Sequence, residues 1–158
     1  MQQFIIEGGH ALNGEVTPSG NKNAALPLLA ACLLTDEALT LHNVPRIGDI
    51  ETQIEILRGL GVQATWQDPH SITLKAQHLH STTPDADLFR RTRGSITLIG
   101  PLLARAGSIH LPMPGGDKIG RRRVDTHLLA LEEMGADIAH NGNFSLTAGK
   151  LNGADILL

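Results

Sequence analysis

The sequence predicts an α/β fold made from two copies of one βαβαββ-like unit, and three observations predict it. Apolar helical stretches alternate with short strand-like stretches along the chain. The order of these stretches in the first half returns in the second, about 70 residues further on. A hydrophobic content of 41% in 158 residues, with mean hydropathy −0.03, describes one globular domain rather than a disordered chain.

Taken in order, the N-terminal MQQFIIEGGH lacks the basic-then-apolar layout of a signal peptide. Next, AALPLLAACLL (24–34) carries no charge and predicts a buried helix, which Thr35, Asp36 and Glu37 end well short of a membrane span. A strand ahead of this helix would complete the first unit. Ala38 to Val44 alternates as a strand and breaks at Pro45. In DIETQIEILRGLG, Ile50, Ile54, Leu57 and Leu60 recur at helical spacing, and Gly61 supplies the stop. Residues 62–66 and 71–75 alternate as strands around the turn Asp68-Pro69-His70.

The second half repeats this. Pro27-Leu28-Leu29-Ala30 returns as Pro101-Leu102-Leu103-Ala104, and Asn43-Val44-Pro45 as Pro112-Met113-Pro114. Ile47-Gly48 corresponds to Ile119-Gly120, and Leu60-Gly61-Val62 to Met134-Gly135-Ala136. Two strand-like pieces follow again, at 137–140 and 144–147. The closing LNGADILL reads as the start of a further strand and points to a truncated protein.

A net charge of −3 argues against a general nucleic-acid binder, and 3% aromatics with no Tyr leaves no stacking platforms for single strands. Yet six of the 13 Lys and Arg fall in two clusters, Arg90, Arg91, Arg93 and Arg121, Arg122, Arg123, with Lys118 just upstream of the second. Such clusters on an acidic chain suit a discrete anionic ligand, and a solvated charged face is the plainer reading of the same pattern. Cys32 is the sole cysteine, so there is no disulfide framework or cysteine zinc site. The eight histidines form no HExxH, and neither GxxxxGK[ST] nor GxGxxG occurs. The expectation is a cytoplasmic protein with no metal, no cofactor, no nucleic acid and no membrane partner.

Ser19-Gly20-Asn21-Lys22-Asn23 stands at the start of the first apolar helix, where unpaired N–H groups and the helix dipole favour an anion and Lys22 adds a full charge. Asn23 reads as the N-cap, and Gly20 permits a close backbone approach. A simple cap beside a solvated lysine is the alternative. The second copy sets Arg93-Gly94-Ser95 at the corresponding place. Pro114-Gly115-Gly116-Asp117 then suits a turn or mobile loop, in which Asp117 is either a turn residue or, with a tuned pKa, a proton-transfer group.

GEVTPSGNKNAALPLLAACLL, HNVPRIGDI, RTRGSITLIGPLLARAG and LPMPGGDKIGRRRVDTHLLALEEMGA together resemble the UDP-N-acetylglucosamine 1-carboxyvinyltransferase family of enolpyruvyl transferases, in order and over the whole chain. Members of that family are well over twice this length, so the resemblance implies an N-terminal portion. It also implies an inverse α/β barrel-like fold, with domains of three βαβαββ units and ligands bound between them. Residues 1–20 would then join the other, absent domain. Residues 21–158 would form an incomplete domain of about two units and the start of a third, with the C-terminal half of the same enzyme as partner.

The implied activity is transfer of the enolpyruvyl group from phosphoenolpyruvate to UDP-N-acetylglucosamine, opening peptidoglycan precursor synthesis, without metal or organic cofactor. By the same likeness Lys22 and Asn23 belong to the active site, Lys22 contacting phosphoenolpyruvate, while Arg93 and Arg122 bind anions. Arg122, Arg123, Val124, Asp125 and Thr126 match the stretch that holds the UDP-sugar, with His127 fitting the pattern around it. Two departures stand out. Asp117 occupies the place where most members carry a reactive cysteine, as in some members, and this implies a proton-donating Asp117 and resistance to fosfomycin. Arg123 replaces a usual proline, which loosens the uridine assignment. Competing readings are the shikimate-pathway enzyme, whose motif has Lys-Ser here, a uridine-nucleotide enolpyruvyl transferase of a secondary pathway, and a non-catalytic UDP-sugar-binding paralogue.

Overall fold

A computed structural model describes residues 3–116, 120, 123–140 and 142–157. The first unit opens with α1 (Lys22–Ala31), which buries Ala25, Leu26, Leu29 and Ala30. Its last turn tightens into a 3-10 turn at Cys32–Leu34, so the predicted helix is α-helical over only part of its length. Then come β1 (Ala38–Leu41), α2 (Gly48–Leu60), β2 (Gln63–Asp68) and β3 (Ser71–Lys75). The predicted stripe of Ile50, Ile54, Leu57 and Leu60 is fully buried. Each such side chain contributes about 2 kcal/mol through the water it leaves.

A short helix, α3 (Ala86–Arg91), links the units; the Asp85 carboxylate caps it by accepting from the Asp87 and Leu88 N–H groups. A 3-10 segment, Arg93–Leu98, runs directly into α4 (Ile99–Ala106). After these follow β4 (Ser108–Pro112), α5 (Asp125–Glu133), β5 (Asp137–His140) and β6 (Asn143–Thr147).

Each unit makes one antiparallel three-stranded sheet, ordered β1-β3-β2 in the first and β4-β6-β5 in the second. The registers correspond. Ala38 and Gln63 both pair with Lys75, as Ser108 and Asp137 both pair with Thr147. The central strands turn Ile72, Leu74, Phe144 and Leu146 inward, all essentially inaccessible. On the outer faces, Thr40 and Thr73 share a 3.0 Å hydrogen bond, and His110 and Ser145 share one of the same length at the corresponding register. The repeat legible in the sequence is therefore a repeat of pairing geometry. One continuous apolar cluster joins both units.

Two expected strands do not form among the described residues. No strand precedes α1, and Phe4, Ile5, Ile6, Leu12 and Val16 are each 87–100% exposed. Residues 151–157 form none either, although Asn152 is tied back by its N–H to the Met134 carbonyl. Alternating apolar residues make a strand only beside a neighbour that takes up their backbone groups, and neither segment has one. No helix among the described residues is long and apolar enough to cross a membrane.

Candidate functional site

The Ser19–Asn23 stretch is fixed by three local interactions. Asn21, not the expected Asn23, is the N-cap of α1: its backbone is extended, and its side-chain oxygen accepts the Ala24 N–H at 3.1 Å. Capping requires a residue still outside the helix, and Asn23 already lies within the first turn. Gly20 does allow a close approach, but to the chain itself rather than a ligand, since a Cβ there would overlap the Asn43 carbonyl oxygen. Lys22 is not simply solvated. Its Nζ lies 2.6 Å from Asp49 Oδ2, in the first turn of α2, with both side chains partly exposed. A pair at that exposure contributes at most about 1 kcal/mol to stability. It does, however, fix where the ammonium sits.

The second copy is built in parallel. The Thr92 hydroxyl accepts the Gly94 N–H at 3.2 Å, and Arg93 opens the 3-10 segment ahead of α4. Arg93 Nη2 donates to the Arg123 carbonyl at 2.9 Å. The glycine loop presses onto the same backbone. Gly116 N–H donates to the Arg90 carbonyl at 3.0 Å, and at φ +93° a Cβ on Gly116 would stand 2.8 Å from the Arg93 nitrogen. Only glycine combines that left-handed conformation with that contact. The segment leading to Asp117 is thus pinned beside Arg93.

Between these helix starts lies an open cleft of about 250 Å³, floored by Leu26 and Pro27. Lys22, Asn23, Asp49, Arg91, Arg93 and Gly116 line it. Pro27 has no N–H, so the Asn23 carbonyl at the rim loses the helical donor four residues on. Three cations against one carboxylate make the cleft electropositive, suited to an anion carrying phosphate or carboxylate groups. A second hollow of about 350 Å³, between α1 and the end of β1, has no lysine or arginine in its lining.

Of the residues singled out in the sequence, Lys22, Asn23 and Arg93 come together in the cleft. Arg123, Val124, Asp125 and Thr126 do not line it; they reach it through the Arg93 to Arg123 hydrogen bond. Arg123 and Asp125 form an ion pair with each other at the start of α5, Val124 is buried and Thr126 is exposed. Asp117, Lys118 and Arg122 lie outside the described residues. Cys32 is fully buried, and desolvation pushes its thiol up to about 12. Among the described residues no cluster of His, Cys, Asp and Glu could hold a metal ion.

Sequence reasoning missed two charged lining residues. Asp49 gave a weak signal, an acid in the first turn of a helix, which usually serves only the dipole. Arg91 lay inside a cluster already noted, with nothing to separate it from Arg90, which instead lies 3.7 Å from Asp87.

A model of the EPSP synthase (3-phosphoshikimate 1-carboxyvinyltransferase) family matches residues 6–157. The chain is 51% identical over 156 residues to UDP-N-acetylglucosamine 1-carboxyvinyltransferase of Bradyrhizobium diazoefficiens, covering 99% of this chain and 36% of the relative. To the protein of that name from Treponema denticola it is 44% identical, covering 100% of this chain and 37% of the relative. The chain thus spans little more than a third of these relatives. Among solved structures it is similar to the enolpyruvyl transferase NikO from Streptomyces tendae, with TM-score 0.76 and 26% identity over 92% of this chain and 32% of that one. The fold is also that of EPSP synthase from Acinetobacter baumannii, with TM-score 0.64 and 18% identity over 89% of this chain and 33% of that one.

Proposed function

The chain belongs to the EPSP synthase family, and from that premise we propose that it supplies the N-terminal part of a cytoplasmic UDP-N-acetylglucosamine 1-carboxyvinyltransferase. The enzyme would carry out the first committed step of peptidoglycan precursor synthesis. Residues 21–158 would form two units and the beginning of a third, and residues 1–20 would pair with the remaining part of the protein. Identities of 40–51% to relatives of that name support this acceptor over the secondary-pathway and shikimate-type readings.

The observation that carries the reading is the convergence of Lys22 and Arg93, from the starts of two repeat-related helical segments, on one cleft. Phosphoenolpyruvate bears a phosphate and a carboxylate, which two fixed cations and Arg91 can hold without reorganising. The 3-hydroxyl of the sugar gives its proton to a general base in the remaining part of the protein and attacks C2 while C3 takes a proton, giving a tetrahedral ketal. Loss of inorganic phosphate, with return of the C3 proton, restores the double bond. Asp117, next after the pinned Gly116, is assigned the proton transfer near C3. Arg122 is assigned a further anion contact, and Arg123 to Thr126 the nucleotide sugar. The chemistry needs no metal or organic cofactor.

The test is Lys22→Ala in the full-length protein. Loss of one charge-assisted contact should raise KM for phosphoenolpyruvate about 10- to 100-fold, while the melting temperature moves by no more than about 3 °C. Unchanged phosphate release with a large loss of melting temperature would overturn the site.

A further inference from the structure

Gln53 is fully buried on the face of α2 that otherwise presents Ile50, Ile54 and Leu57 to the core. Its Nε2 donates to the Leu26 carbonyl at 2.7 Å and, more weakly, to Thr97 Oγ1 at 3.4 Å. Thr97 Oγ1 in turn donates to the Gly94 carbonyl at 2.8 Å. The Gln53 Oε1 is buried and makes no hydrogen bond among the described residues. A buried acceptor without a partner costs folding free energy, and an apolar side chain of the same length would avoid that cost. Core packing alone therefore gives little reason for a glutamine here.

Its partners supply one. Leu26 lies one turn beyond Lys22 on α1, and Gly94 directly follows Arg93. Asp49 lies one turn before Gln53 on α2 and holds Lys22. The two α1–α2 rungs, Lys22 to Asp49 and Leu26 to Gln53, each join residues 27 apart, so the helices run side by side in the same direction in a fixed register. Apolar contacts alone tolerate small slides of one helix along another, and a directional hydrogen bond does not. Leu26 and Thr97, the two groups that the Gln53 amide joins, both line the cleft.

We propose that Gln53 is a positioning residue, which ties α1 to the Arg93–Leu98 segment from below and so sets the spacing of Lys22 and Arg93 for one shared anion. This rests on reading the cleft as the anion site. The experiment compares the full-length wild type with Gln53→Met, with inorganic phosphate as the probe for binding and phosphoenolpyruvate for turnover. Gln53→Met should keep or raise the melting temperature, weaken phosphate binding about tenfold and raise KM for phosphoenolpyruvate by a similar factor. In a Lys22→Ala background the same substitution should change phosphate affinity by less than about twofold, because the geometry it protects has gone. A purely structural glutamine would leave the two backgrounds alike.

Phosphate affinity within about twofold of wild type in Gln53→Met, or an equal loss in both backgrounds, overturns the proposal. Should Gln53→Met not fold, Thr97→Val removes the link to Gly94 at a partly exposed position and should weaken phosphate binding about threefold; wild-type affinity there overturns it. A wild type that binds phosphate but transfers no enolpyruvyl group refutes the proposed function while the phosphate measurements still decide the role of Gln53. A wild type that binds no phosphate refutes both.

Discussion

At the scale of single residues, burial decides what the thiol can do. Cys32 is sealed in the core, and its thiol, normally near 9.0, is held up to about 12 by the loss of water around it. The folded state therefore keeps its proton where the unfolded chain releases it. Stability associated with Cys32 is fully present below pH 9 and is lost as pH rises from about 9 to about 12. A Cys32→Ala variant should accordingly show a shallower fall of melting temperature with pH across that window than the wild type. Iodoacetamide should leave Cys32 unmodified in the native protein and alkylate it in denaturant, as followed by intact mass. Asp117 follows directly on a loop pinned beside Arg93. A carboxylate is a far poorer nucleophile towards an epoxide than a thiolate, so under the proposed function the full-length protein should retain activity with fosfomycin and UDP-N-acetylglucosamine. Asp117→Cys should become sensitive and gain one covalent adduct. Rapid inactivation of the wild type, or an insensitive Asp117→Cys, would refute the role proposed for Asp117.

At the scale of elements, the start of α1 separates a cap from a site within three residues. Asn21 satisfies an orphan N–H, whereas Asn23 faces the cleft. Asn21→Ala should cost about 1 kcal/mol in denaturant unfolding, and Asn23→Ala should stay within about 0.5 kcal/mol. The reverse order would show that the cap has been assigned to the wrong asparagine. Gly20→Ala should be more damaging than either, because its methyl group would meet the Asn43 backbone and that loop leads into α2 and Asp49. Displacing it moves both partners of the Lys22 pair at once. A Gly20→Ala protein as stable as the wild type would refute that coupling.

At the scale of the molecule, two units share one core and bring their helix starts to the same cleft, which remains open. The curated relatives are close to three times as long, and the apolar side chains of residues 4–16 stand in solvent. Catalysis in an open, water-filled cleft would lose the preorganised, desolvated surroundings on which charge stabilisation depends. The 158-residue chain alone should release no phosphate from phosphoenolpyruvate and UDP-N-acetylglucosamine, and full-length protein should. Measurable release by the 158-residue chain alone would refute the need for the remaining part.

The sequence by itself determined the α/β class, the succession of elements from α1 to β3 and its return in the second half, because helical and alternating periodicities are local; it did not show α3, and the strands it suggested at either end do not form among the described residues. It also determined the buried α2 stripe, from its helical spacing, and the burial of Cys32, a small residue inside an uncharged run, though Leu28 and Leu34 of that run stay exposed. The motif around Lys22 and its echo at Arg93 were legible for the same reason: each lies at a helix start. Tertiary structure alone decided which asparagine caps, because capping depends on backbone angles that change between two asparagines only two residues apart. It decided as well that Lys22 meets Asp49, that Arg91 rather than Arg90 faces the cleft, and that a buried Gln53 bridges two segments. These contacts join residues far apart in the chain, and no periodicity within either segment encodes the register in which two helices settle on one another.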